Sequence, residues 1–249
     1  MRRGRGQFLI IAALAIALTI LTTQAYVYRL SRTEVESEYD LVNDYVIGLE
    51  LGTKHAVKAS LISISQGGNT SELSNNLDRW ETLVGGEYRF GGCDIDYTLY
   101  NQSGYSDGIW LDWGTDGVGI SSAYVDFALN LSGRGVEVGW SLVYNASTVI
   151  INSGSWSQGP GANDKVVNGV FDLFNEDGSA LADRVNITYN DGLWREASSL
   201  PDYSLTEFGN GTYQYTFTAQ YPGPEIMIRI QVYDRKRVFV ESEATFTET

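Results

Sequence analysis

The sequence predicts an α+β chain in which a long N-terminal transmembrane and stalk helix precedes mainly antiparallel β-sandwich modules. Three observations predict it. The stretch Phe8 to Leu21, FLIIAALAIALTIL, is apolar except for Thr19. From Leu30 to Gln66 apolar residues recur at helical spacing with no Pro. From Glu87 onward the period becomes two, in short runs separated by glycine turns, and the chain holds 27 Gly and 16 Tyr against 4 Pro.

The first element is justified by charge as well as by apolarity. No charged residue lies between Arg5 and Arg29, and a helix of that length, at about 1.5 Å per residue, covers a hydrocarbon core of about 30 Å. Arg2, Arg3 and Arg5 precede the span and no acid occurs before Glu34, which predicts a cytoplasmic N-terminus. The divisions that follow are a basic leader at 1–6, a transmembrane helix at 7–28 and an exterior remainder. The expected localisation is thus a single-pass cell-membrane protein with its C-terminal bulk extracellular, or a surface filament. A cleaved signal peptide is the alternative, but Thr23 and Val27 around Ala25 give no small-residue cleavage pair.

Residues 29–86 continue as a helical stalk and a second helix. Val35, Tyr39, Val42, Val46 and Leu49 alternate steps of four and three, the seam of a heptad. Past Gly52 a second stripe, Val57, Leu61 and Ile64, runs to a stop at Gly67-Gly68. Gly48 and Gly52 each weaken an isolated helix by about 1 kcal/mol, so close packing is expected there. The second helix is predicted over Ser71 to Val84, capped by Thr70 or Ser71, with Leu73, Leu77 and Trp80 on one face.

The segment Arg2-Arg3-Gly4-Arg5-Gly6, then Gln7, then Phe8 to Leu21 resembles the N-terminus of archaeal type IV pilins and pilin-like surface proteins. That resemblance, over about the first 50 residues, implies processing between Gly6 and Gln7. It also implies an apolar helix able to pack against copies of itself or other pilin-like subunits.

A first β module is predicted over 87–158, with strands at Asp94–Tyr100, Ile109–Trp113, Ala123–Leu131, Val136–Tyr144 and Ser147–Asn152. The run SGSWSQGPGAND from Ser153 to Asp164 reads as a low-complexity joint, with the linker proper at 159–164. The second module, 165–249, has strands predicted at Val166–Phe174, Arg184–Tyr189, Tyr203–Glu207, Thr212–Ala219, Ile226–Tyr233 and Val238–Phe246. Its strand number and its turns at Asp177-Gly178, Asp191-Gly192 and Asn210-Gly211 describe an immunoglobulin-like sandwich. Asn175-Glu176-Asp177-Gly178-Ser179, Gly209-Asn210-Gly211-Thr212-Tyr213 and Ile230-Gln231-Val232-Tyr233-Asp234 resemble Ig-like repeats of prokaryotic surface proteins.

Composition narrows function. A net charge of −14, from 17 basic and 31 acidic residues, repels phosphate backbones and argues against nucleic acid as a partner. One histidine, His55, excludes sites built from several imidazoles within one chain, and one cysteine, Cys93, excludes an internal disulfide or a thiolate zinc cage. Six Asn-x-Ser/Thr sequons, at Asn69, Asn101, Asn130, Asn145, Asn186 and Asn210, stand where chance gives about two, and all are candidate N-glycosylation sites. Asp94, Asp96, Asp107, Asp112 and Asp116 gather with Trp110 and Trp113, carboxylates beside indoles that suit calcium or a sugar. Their order fits no calcium loop, and no spacing singles out a catalytic acid and base.

The expectation is therefore a membrane-anchored, non-enzymatic structural or adhesion protein of the cell surface, with no cofactor and no metal. Its expected partners are the lipid bilayer and a surface glycan or protein ligand. The alternatives are a pilin-like filament or pseudopilus subunit processed after Gly6 and an extracellular carbohydrate-active enzyme.

Overall fold

The computed structural model describes residues 21–27, 44–87, 91–133, 136–176 and 178–249. The chain divides into two compact units, Met1–Leu51 and Gly52–Thr249. In the first, residues 21–27 and 44–51 are helical.

Two expectations are corrected here. The fold is mostly antiparallel β sheet with short helices, not a long transmembrane and stalk helix carrying β modules. Among the described residues no helix is long and apolar enough to cross a membrane. Of the span expected over 7–28 the structure describes seven residues, and helix α1 (44–65) carries Asp44, Glu50, Lys54 and Lys58 along its length. The single-pass membrane placement, with its cytoplasmic N-terminus and extracellular bulk, is unsupported for the same reason. The leader, Gly6, Gln7 and the seam residues Val35, Tyr39 and Val42 lie outside the described residues.

The second unit is built on one long sheet. Its hydrogen-bonded order is β1 (Gly92–Leu99), β3 (Val118–Gly133), β4 (Val136–Gln158), β5 (Asp164–Asn175), β10 (Thr212–Gln220) and β9 (Ser204–Glu207). Strand β2 (Ile109–Trp113) joins the same edge of β3 as β1, and the short β6 (Gly178–Ser179) pairs with β5. The second sheet runs β12 (Phe239–Phe246), β11 (Ile226–Asp234), β7 (Ala182–Asn190), β8 (Trp194–Glu196). All these ladders are antiparallel.

Period-two alternation assigns the faces of the long sheet. On β3, Ala123, Val125, Phe127, Leu129 and Leu131 are buried, while Asp126, Ala128 and Asn130 between them are exposed. The same inward row continues at Ser121, whose hydroxyl donates to the Phe239 carbonyl at 2.7 Å, and at Gly119, which lies against the Glu241 carbonyl. One face of β3 is thus covered at one end by helices and at the other by the second sheet.

The helical cover consists of residues 52–65 of α1 and α2 (Glu72–Glu87). Val57, Leu61 and Ile64 of the one, with Leu73, Leu77 and Val84 of the other, are buried. Full burial of each aliphatic side chain contributes about 2 kcal/mol. Of the two close approaches expected, that at Gly52 is present, because a β-carbon there would meet the Trp80 ring at 2.2 Å, whereas among the described residues nothing lies within 4 Å of one at Gly48. Trp80 Nε1 donates to Thr53 Oγ1 at 3.0 Å and Asn76 Nδ2 to Ser60 Oγ at 3.0 Å, satisfying polar groups where the helices touch. Lys54 and Lys58 place their ammonium groups 5.9 and 5.8 Å from the centre of the Tyr144 ring on β4. Helix α2 continues past Gly85 and Gly86, where the sequence predicts its stop.

The Tyr97 phenol of β1 donates to the Asp78 carboxylate of α2. Burial, and then that hydrogen bond and the Asp78 charge, push the phenol up to about 12. The unfolded phenol ionises near pH 10, so this contribution is complete below about 10 and is lost as pH rises through about 12. Wild type should lose melting temperature between pH 10 and 12 more steeply than Tyr97→Phe, and parallel slopes in thermal melts would refute this origin.

The sandwich half has its own core. Phe171 and Leu173 of β5, Tyr213, Tyr215 and Phe217 of β10, Ile226, Ile228, Ile230 and Val232 of β11, and Val240 and Phe246 of β12 are buried in one cluster. Phe171 and Tyr213 stack at 4.7 Å with 5° between their planes. The β2–β3 turn closes the seam between the sheets: Gly117 N–H donates to the Glu243 carbonyl at 2.7 Å, and Glu243 N–H to the Gly114 carbonyl at 2.9 Å.

The run from Ser153 to Gln158 is strand, paired residue by residue with Val170 to Lys165, and residues 159–163 turn β4 into β5. Thus β4 is one 23-residue strand reaching from the helix-covered half into the sandwich.

Candidate functional site

The outer face of the long sheet is the candidate site, since it presents aromatic and apolar side chains that no described element covers. It begins in the loop joining β1 to β2. Ser103, Gly104, Asp107 and Gly108 all take positive φ, winding the loop tightly. The Asn101 side chain closes it, Oδ1 accepting from Asp107 N–H at 2.5 Å and Nδ2 donating to the Leu99 carbonyl at 3.3 Å. Gly108 N–H donates to the Tyr100 carbonyl at 2.9 Å and Tyr124 N–H to the Gly108 carbonyl at 2.8 Å, which ties the loop to β3.

That winding gathers four rings. Tyr100 lies 4.6 Å from Tyr124, and Tyr105 packs edge-on against Trp110 at 5.5 Å and against Tyr124 at 5.8 Å. All four are half-buried. The Tyr105 hydroxyl lies 2.7 Å from Ser122 Oγ, which lies 2.8 Å from Asn145 Oδ1. Burial first, then the Asp126 charge, raise the Tyr124 phenol, so it stays protonated at neutral pH.

An apolar band runs from these rings across the sheet. Ile120 stands opposite Val149, and Val149 opposite Phe174. Ile151, Phe174 and Val170 are 45, 37 and 37 % exposed, whereas their neighbours Ile150, Leu173 and Phe171 are buried against the second sheet. Asp112 stands opposite Ile120 and Asp172 opposite Ile151, so carboxylates interrupt the band.

The carboxylate and indole cluster expected from the sequence disperses. Asp94 and Asp96 lie on β1 and Asp112 on β2, while Asp107 is in the loop; all four are exposed. Asp116 accepts from Val118 N–H at 3.1 Å within its turn. Trp113 points to the other face, edge-on to Phe239 at 5.2 Å, and leaves Trp110 to the rings. Among the described residues no three His, Cys, Asp or Glu converge to hold a metal ion. His55 is exposed on α1, and Cys93 is half-buried on β1. The sequence reading missed Tyr100, Tyr105 and Tyr124, because only the loop and the β3 register bring them together.

Of the sequon residues, Asn69, Asn101, Asn130, Asn145 and Asn210 are exposed. Asn186 is half-buried on β7, with its Nδ2 donating to Gln231 Oε1 at 3.1 Å. Asn130 and Asn145 lie on the outer face, and Asn145 is directly opposite Tyr124.

The described fold and face define an antiparallel two-sheet β protein whose long sheet offers an aromatic and apolar surface. No protein-family model matches the sequence, and no curated protein matches it.

Proposed function

We propose that the chain is a non-enzymatic structural or adhesion protein that grips a partner protein through the outer face of its long sheet. The observation behind this reading is the row Ile120, Val149, Ile151, Phe174 and Val170, which lies on the same face as the Tyr100, Tyr105, Trp110 and Tyr124 rings and is interrupted by Asp112 and Asp172. Exposed aromatic and apolar side chains grouped on one sheet face, with polar groups among them, suit an interaction site. Asp112, Asp126 and Asp172 beside it, on a chain of net charge −14, favour a partner with an apolar centre and a basic rim. A second copy would bring like charges to the same rim.

An immunoglobulin-like reading of the sandwich half is supported by its strand order. The second half of β4 with β5, β10 and β9 faces β12, β11, β7 and β8. That is the A-B-E-D against G-F-C arrangement with one added strand beside C. Such modules serve as spacers and binding surfaces, and the choice between those roles rests on the outer face. The five exposed sequon residues support N-glycosylation.

Ile151→Lys combined with Phe174→Lys is expected to weaken partner binding at least about tenfold. Both side chains are largely exposed, so the melting temperature should stay within a few degrees. A photo-crosslinking residue at position 151 should trap one discrete partner in the source cells. The same group at Asp183, exposed on β7 of the other sheet, should not. No adduct at 151, or equal adducts at both positions, counts against the proposal.

A further inference from the structure

Where β5 begins and β7 and β10 end, a cavity of about 550 Å³ opens between the two sheets. That volume lies within the range of about 300 to 1,000 Å³ usual for small-molecule sites. The cavity is remote in sequence from the rings of the outer face, and none of its lining residues belongs to the apolar band.

Its lining is chemically mixed. Tyr189, at 5 % exposure, is on the wall that backs onto the core, 5.4 Å from Phe217. No described residue hydrogen-bonds its hydroxyl, although the side chain borders the opening. Burial, and then the Asp191 charge, raise this phenol, so it is a proton donor at neutral pH. Asp202 also lines the cavity as an acceptor, and hydrogen bonds from Thr218 hold its carboxyl below the usual range. Asp191 is tied to Arg195 by a 2.6 Å ion pair, and the Arg195 side chain is 55 % exposed. Leu200 and Pro201 supply an apolar wall.

These groups decide what class of ligand fits. A metal ion does not, because no three carboxylates converge among the described residues. A purely cationic ligand can only donate: it would meet the Arg195 guanidinium at like charge and leave the Tyr189 O–H without an acceptor. A polyol both donates and accepts, matching the phenol, the carboxylates and the guanidinium together. A pyranose adds an apolar face for Leu200 and Pro201.

We propose that this cavity is a saccharide-binding site taking one or two pyranose rings, with the Tyr189 hydroxyl and the Asp202 carboxylate as its principal hydrogen-bonding groups. It is independent of the protein-binding face, so one site can fail while the other stands.

The test is titration of the isotope-labelled full chain with D-mannose, D-galactose and N-acetyl-D-glucosamine, followed by amide chemical shifts. At least one sugar should give saturable shifts at Gly192, Arg195, Asp202 and Gln220, with a dissociation constant of about a millimolar. Tyr189→Phe keeps the ring in the core and removes the hydroxyl, and it should weaken that sugar about tenfold. Asp202→Asn should weaken it comparably, with the melting temperature of both variants near wild type. Absence of saturable shifts with all three sugars overturns the proposal, as do shifts confined to other regions. Shifts produced at these amides by N-acetyl-arginine methylamide but by no sugar also overturn it, and reassign the cavity to a basic side chain of a protein partner.

Discussion

Replacing Phe171 by Ala is expected to destabilise the protein by about 4 kcal/mol. The ring is fully buried at the centre of the sandwich, stacked on Tyr213 and near Tyr215 at 6.5 Å. Its strand is held on both sides, Phe171 opposite Asn152 of β4 and opposite Tyr213 of β10, so the backbone has little freedom to fill the void. The loss is the transfer free energy of the ring plus the uncollapsed cavity. Urea unfolding measures it, and a change below about 1.5 kcal/mol would mean that the site relaxes around the deletion. Because β3 and β4 run unbroken beneath both the helices and the second sheet, far-ultraviolet helical signal and tryptophan fluorescence should shift to the same lower midpoint. Two separated midpoints would show instead that the helix-covered half folds alone.

Gly119→Ala is expected to cost about 3 kcal/mol despite adding a single methyl group. A β-carbon at Gly119 would fall 1.9 Å from the Glu241 carbonyl oxygen and 2.8 Å from Ile150 Cγ2. The obstructing atom is backbone in the middle of β12, so it cannot swing aside as a flexible side chain would. The sheets must separate locally, straining the contacts of Gly114 and Gly117 with Glu243 that close the seam. Gly86→Ala on α2 is the control, because nothing lies within 4 Å of its added carbon and alanine favours helix. Equal urea midpoints for Gly119→Ala and wild type would contradict the close approach of the sheets.

Local chemistry made much of the β half legible. The alternation of Tyr213, Tyr215, Phe217 and Ala219, and of Ile226, Ile228, Ile230 and Val232, predicts strands whose buried rows are those observed. Ile109–Trp113 has the predicted bounds. The turn residues Gly192 and Gly211 take the positive φ that their Asp-Gly and Asn-Gly pairs suggest. The stripe Val57, Leu61, Ile64 and the pair Leu73, Leu77 are buried as helical spacing implies.

Strand β4 shows where that reading stops. Its inward row contains Thr148, Asn152 and Gly154 among apolar residues, which breaks the alternation and suggests two strands and a joint. In the fold Thr148 Oγ1 bonds to the buried Asp234 carboxylate at 2.9 Å, and Asn152 Oδ1 accepts from the Tyr215 hydroxyl at 2.9 Å. The missing side chain at Gly154 leaves room for the Phe246 ring. Each of these compensations comes from residues at least 60 positions away, so no local window contains it.

The candidate site was less legible still. Trp110 and the outer-face aspartates are noticeable as a composition, but their grouping depends on cross-strand register. Tyr189, Asp191 and Asp202 meet only because β7, the turn after it and the segment before β9 end at one corner of the sandwich. What the sequence by itself determined is the period of each segment, its turns and which side of each strand is apolar, because these follow from neighbours within a few residues. The tertiary structure alone decided that one face of a single sheet is shared by helices and a second sheet, and which polar residues lie inside. Those outcomes depend on partners that sequence distance does not rank.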